Sequence, residues 1–170
     1  MIRAYFLLGV EDLSVPYALR EEVFVKEQGF SAESERDEID RMAMHAVLTE
    51  DGQPYATGRL FYQDGGWHIG RVCVLKEKRG SHFGDLIMRM LLDRARSLGA
   101  QDVTIGAQLT AEGFYEKFGF ERCGDEYMDE HCPHVPMKVT MQKVESIVFG
   151  GCGGNCASCK GCGESAPEEK

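Results

Sequence analysis

The sequence predicts an α/β (α+β) fold: one domain around a mixed sheet. Three observations carry this. Apolar segments follow one another in the order β-α-β-β-β-α-β-α-β-β, with no internal repeat. The stretch Arg71–Leu86 reads as strand, basic turn, small-residue loop and helix start. The chain has 170 residues and 43% hydrophobic content, enough for one ordinary domain plus a tail.

Ile2 to Leu8 forms a first strand, with Ile2, Ala4, Phe6 and Leu8 on one face. Ser14 can cap a helix that tolerates Pro16 in its first turn and runs to about Gln28. Leu19, Val23 and Phe24 face the core from it. Residues 29–42 are polar and acidic, and read either as a solvated loop or as one wall of a substrate site. Strands follow at His45–Thr49, Tyr55–Tyr62 and Trp67–Val74, with a hairpin signal at Asp64-Gly65-Gly66 between the last two. A helix over 83–98 carries Ile87, Leu91, Ala95 and Leu98 at helical spacing and ends at Gly99. Then come a strand at Asp102–Ala107, a short helix at Thr110–Phe118, and strands at Phe120–Tyr127 and Met137–Val144.

Composition excludes several function classes. No apolar run approaches the roughly 20 residues a membrane span needs. Met1–Val10 lacks signal-peptide architecture, so a cytoplasmic location is expected. The net charge of −9 argues against nucleic acid as a partner and is compatible with a cationic substrate such as an amine. Cys73, Cys123 and Cys132 read as core or semi-buried thiols. An odd total of seven cysteines points to reduced thiols.

The centre of the chain carries the chemistry. Lys76, Lys78 and Arg79 follow the strand Val72-Cys73-Val74 directly. Gly80, Ser81 and Gly84 let the backbone turn tightly and approach a ligand. A helix start has unpaired N–H groups and a partial positive charge, so this geometry suits a phosphate or pyrophosphate. The spacing fits neither a P-loop nor a dinucleotide fingerprint.

The loop resembles the coenzyme A loop of the GNAT superfamily of N-acetyltransferases, [Gln/Arg]-x-x-Gly-x-[Gly/Ala]. Arg79 and Gly84 take its first and last places, and His82 stands where a glycine is usual. Such a loop works with His82 at negative φ. Ala111-x-x-Phe114-Tyr115-x-x-x-Gly119-Phe120 matches the family's late-helix pattern completely. Further segments resemble the ElaA-like subfamily: Arg20–Gln28, Asp37-x-x-Asp40, His45, Ile69–Val72, Ala107-Gln108 and Cys132–Met137. The resemblance spans about residues 3–143 and implies a single GNAT-type acyl-CoA N-acyltransferase domain over 1–149. Its sheet is expected to be mixed, mostly antiparallel and flanked by helices.

The implied reaction is direct transfer from acetyl-CoA to the primary amine of a small molecule or protein. The implied coenzyme site comprises Val72, Cys73, Val74, Arg79, Gly80, Ser81, His82, Phe83, Gly84, Phe114 and Lys117. Tyr115 is implied as the donor to the leaving sulfur. Glu27, Asp40, His45 and His134 are candidate bases or water-positioners. The expected acceptor site comprises Arg71, Asp40, Gln108 and His134. Arg71 suits a substrate carboxylate, or else an ion pair with Asp40 or Glu27. The pairing of Arg20-x-x-x-Phe24 with Asp37-x-x-Asp40 also resembles acyl-homoserine lactone synthases. No membrane partner is expected, and a homodimer is left open.

Residues 150–170 form a Gly/Cys-rich tail that cannot fold by burial alone. Cys152, Cys156, Cys159 and Cys162 suit a tetrahedral Zn²⁺ site or an iron–sulfur cluster. This gives an alternative of another class: a metal-binding or redox protein that uses the domain as a coenzyme-binding scaffold.

Overall fold

The computed structural model describes residues 1–150. An eight-stranded sheet runs in the order β1-β2-β3-β4-β5-β8-β6, with β7 also on β8. Its strands are β1 (Ile2–Leu8), β2 (Met44–Glu50), β3 (Gln53–Gln63), β4 (Gly66–Val74), β5 (Asp102–Gln108), β6 (Glu121–Arg122), β7 (Tyr127–Asp129) and β8 (Cys132–Thr140). Every pairing is antiparallel except β4 with β5. The mixed, mostly antiparallel sheet expected from the sequence is present.

One face of the sheet holds the main core. Helix α3 (Phe83–Ser97) packs there through Ile87, Met88, Leu91, Leu92 and Ala95, all fully buried. Each of the four larger side chains contributes roughly 1.5–3 kcal/mol by leaving water. The approach is close: a Cβ on Gly58 of β3 would lie 2.9 Å from Leu91 and 3.0 Å from Ile87. Leu98 lies just past the helix and is half-exposed, contrary to its expected place on the apolar stripe. On the other face lies a small cluster of Leu19, Val23 and Cys73.

Those residues bring in helix α1. It spans Ser14–Arg20 and continues with π winding over Glu21–Glu27. Gln28 N–H donates to the Val23 carbonyl at 3.0 Å, one residue further back than in an α-helix. Such wide turns are rare and collect at functional sites. Ser14 is the first helical residue and does not cap; its own N–H donates to Asp12 at 2.9 Å.

The polar segment 29–42 is not a solvated loop. It forms helix α2 (Ala32–Glu35) and a 3₁₀ turn (Glu38–Arg41), and it buries Glu35 and Asp40. Helix α4 (Glu112–Glu116) follows a 3₁₀ turn at Leu109–Ala111 and stops before Gly119, whose φ is +88°. The expected strand Phe120–Tyr127 is two short ones, β6 and β7, both borne by β8. The expected strand Met137–Val144 begins earlier and ends at Thr140. There the Thr140 Oγ1 accepts the Lys143 N–H and starts helix α5 (Met141–Ile147). Cys73 is buried and Cys132 partly so, but Cys123 is exposed, against the expectation of a semi-buried thiol. No described helix is long and apolar enough to cross a membrane.

Candidate active site

A local break in the sheet makes the site. β4 and β5 pair in parallel only from Trp67↔Val103 to Ile69↔Ile105. Beyond that point β4 stays with β3 to Val74 and β5 stays with β8 to Gln108, so the two strands part. The cause is in β4, where one extra residue is inserted between the pairs Arg59↔Gly70 and Thr57↔Cys73. Arg71 absorbs that bulge at φ +52°, a strained conformation for an L residue. The gap opens into a cavity of about 580 Å³.

At one end lies the Gly loop. Arg79, Gly80, His82, Phe83 and Gly84 line the cavity, as do Val72, Cys73 and Val74 from β4 and Phe114 and Lys117 from α4. Phe114 rests on Gly84, where a Cβ would come within 3.2 Å of its ring. Ser81 does not line the cavity; its N–H closes a turn onto Lys78. His82 has φ +63°, not the expected negative value, so it takes the left-handed conformation a glycine would supply. Its ring is exposed and its Nδ1 lies 2.9 Å from Asp85.

Glu27 is not poised as a base. Both its oxygens take the Arg79 guanidinium at 2.6 Å, which holds its carboxyl below the ordinary range. His45 is likewise removed from the cavity. It is buried, and its Nε2 donates to the Asp40 carbonyl at 3.0 Å. Burial pushes its pKa down, so it is neutral. Asp40 is also buried and does not line the cavity: Arg20 and Arg59 each donate to its Oδ1 at 2.7 Å. Buried carboxylates are kept only when paired in this way.

Tyr115 lines the middle of the cavity, and burial pushes its phenol up to about 12. Cys73 beside it is pushed up to about 12 for the same reason, so it stays a thiol.

The other end is built from remote segments. Arg71, Gln108 and His134 line it, with Phe30, Ser34 and Glu35 from the segment 29–42 read as one possible wall, and with Phe24, Gln28 and Asp129, which sequence reasoning did not assign to the site. Gln108 donates to the Gln28 side chain at 2.8 Å. The β7–β8 turn is tied to the segments beside this end: Glu130 accepts from Ser31 and Ser34, and His131 lies 2.9 Å from the Gln28 carbonyl with its ring tilted against Phe30. His134 is 7% exposed and stacked on Tyr127. Its Nδ1 is 3.0 Å from the Cys132 carbonyl. A carbonyl only accepts, so Nδ1 carries a proton, and in the neutral ring the lone pair is on Nε2.

Among the described residues no group of three metal-ligating side chains is assembled. Cys152, Cys156, Cys159 and Cys162 lie outside the described residues.

An acetyltransferase (GNAT) domain profile matches residues 11–141. The uncharacterised N-acetyltransferase YjcF of Bacillus subtilis is 36% identical over 137 residues, covering 80% of this chain and 98% of YjcF. Escherichia coli ElaA superposes with a TM-score of 0.73 at 28% identity, over 81% of this chain and 99% of ElaA. An acyl-CoA N-acyltransferase from Pseudomonas aeruginosa gives 0.73 at 26% identity, over 81% and 99%.

Proposed function

Since the chain belongs to the GNAT acetyltransferase family, we propose that it moves the acetyl group of acetyl-CoA directly onto the amine of a small acceptor. The observation that carries this reading is the parting of β4 from β5. It leaves two strand edges facing one cavity, lined by the Gly loop and by Arg71, Gln108 and His134. Backbone groups of residues 71–74 suit the pantetheine amides and the thioester carbonyl. The N-terminus of α3, with Lys78, Arg79 and Lys117 near it, suits the pyrophosphate.

His134 is the base in this reading. Of the four candidates named from the sequence, it alone lines the cavity. The acceptor attacks as the free amine, its ammonium proton already lost to solvent: nitrogen bonds to the thioester carbon, one N–H proton passes to Nε2 of His134, and the C–S bond breaks as the amide forms. Tyr115 donates a hydrogen bond to the departing sulfur. That hydrogen bond stabilises the negative charge developing on the sulfur as the thiolate leaves.

The test is turnover of acetyl-CoA by the full chain over a panel of primary amines. Free thiol and the acetylated product would be followed together. Product formation dependent on Tyr115 and His134 supports the reading. Acetyl-CoA that neither binds nor turns over at millimolar concentration contradicts it.

A further inference from the structure

We infer that the acceptor is an aminocarboxylate, a small zwitterion whose carboxylate is held by Arg71; this rests on the acyl-transfer reading above. The evidence is how charge is distributed around that arginine. Glu35, Asp37 and Asp40 face Arg20, Arg59 and Arg71, and the short contacts go to only two of the three arginines. Arg20 takes Glu35 at 2.5 Å and Asp40 at 2.7 Å. Arg59 takes Asp40 at 2.7 Å and both oxygens of Asp37 at 2.6 and 2.7 Å. Arg71 reaches carboxylates only at 3.5 and 3.6 Å.

What fixes Arg71 is backbone. Its Nε donates to the Glu35 carbonyl at 3.1 Å and its Nη2 to the Ser34 carbonyl at 3.0 Å. Carbonyl dipoles orient a guanidinium without neutralising it, and Nη1 has no partner among the described residues. Burial, with Arg59 and Arg20 behind it, pulls the Arg71 pKa below the ordinary arginine value. A group held in that field is stabilised by an incoming anion. The chain also keeps Arg71 in a strained backbone conformation at the mouth of the strand gap, and strain of this kind gathers at ligand clamps.

The opposite charge stands nearby. Asp129 lines the same cavity, and its carboxylate makes no hydrogen bond or ion pair among the described residues. Ser34 ties the two walls together: its carbonyl takes Arg71 and its hydroxyl takes Glu130, the neighbour of Asp129. One guanidinium and one carboxylate at the same end match the two charges of an amino acid. Phe24 and Phe30 offer an apolar surface to its side chain.

The experiment compares each protein amino acid with its decarboxylated amine, for instance leucine with isoamylamine and tyrosine with tyramine, at saturating acetyl-CoA. At least one amino acid should exceed its amine in kcat/KM by about 100-fold, the scale of a charge-assisted contact. Arg71→Gln should erase that ratio mainly through KM, and Arg71→Lys should restore part of it. Melting temperatures of both variants would separate recognition from misfolding. Amines turned over as well as their amino acids overturn the inference and leave acyl transfer standing. No turnover of any compound overturns both. A ratio unchanged in folded Arg71→Gln also overturns the inference.

Discussion

The two ends of the cavity are built in opposite ways. The Gly-loop end is contiguous: β4, the loop 79–84 and the start of α3 follow one another, and only α4 comes from elsewhere. The chamber end joins α1, α2, the β4 bulge, the end of β5 and the β7–β8 turn. Its charges are buried and interlocked, whereas the pair guarding the loop, Glu27 with Arg79, is exposed. A loop that follows its strand directly needs little besides its own backbone. A chamber drawn from five segments needs a buried ionic frame to hold them in register.

Breaking that frame should give the largest effect. Arg20→Met leaves Glu35 and Asp40 buried without their main partner. A loss of about 3–5 kcal/mol is expected, and the melting temperature should fall by roughly 10 °C. Glu27→Gln at the other end should cost no more than about 1 kcal/mol. Equal losses in the two variants, measured by thermal unfolding, would erase the contrast.

Tyr115 lies between the two ends. Tyr115→Phe keeps the ring and removes the donor, so kcat should fall roughly 10²–10³-fold. A stopped-flow record of thiol release reads this directly, and a change confined to KM would show that the hydroxyl only binds.

Acid should attack the chamber frame first. The pKa of His45 is lower folded than unfolded, so the unfolded chain takes up a proton first as pH falls. Stability should hold above about pH 7 and decline below the unfolded His value near 6.5. Asp37 and Asp40 are also depressed, by their arginine partners, so their contribution is lost later, as pH falls below about 4. Urea midpoints against pH would trace both limbs, and His45→Gln should flatten only the upper one.

The smallest effect belongs to the loop. His82→Gly relieves a left-handed residue and should raise stability by about 1 kcal/mol, read as a higher melting temperature. A lower value would mean that the His82–Asp85 contact outweighs the strain.

The same contrast explains what the sequence could reveal. Val72–Gly84 and Ala111–Phe120 are local patterns, and nearly every coenzyme residue expected from them lines the cavity. Sign and spacing along the chain could not separate Glu35 and Asp40 from solvated acids, because their partners stand 15 to 20 positions away. The same separation hides that Asp40 is held by Arg20 and Arg59 away from the cavity, and with it His45, whose ring is bound to the Asp40 carbonyl. β8 begins at Cys132, five residues before the strand expected from Met137, and carries Pro133 and Pro136, which a strand tolerates where no ladder N–H is needed. The threonine that stops β8 was a readable helix cap that went unused. The π turns of α1 and the left-handed Arg71 left no mark in composition or period.

The central claim is that the parted strands form one acyl-CoA site. Isothermal titration of acetyl-CoA into the full chain and into Gly84→Val tests it most directly, because a Cβ at Gly84 meets Phe114 at 3.2 Å inside that site. One-to-one binding by the wild type and a loss of at least tenfold in the variant, with the fold intact, are expected. No binding by the wild type, or equal binding by a folded Gly84→Val, would contradict it.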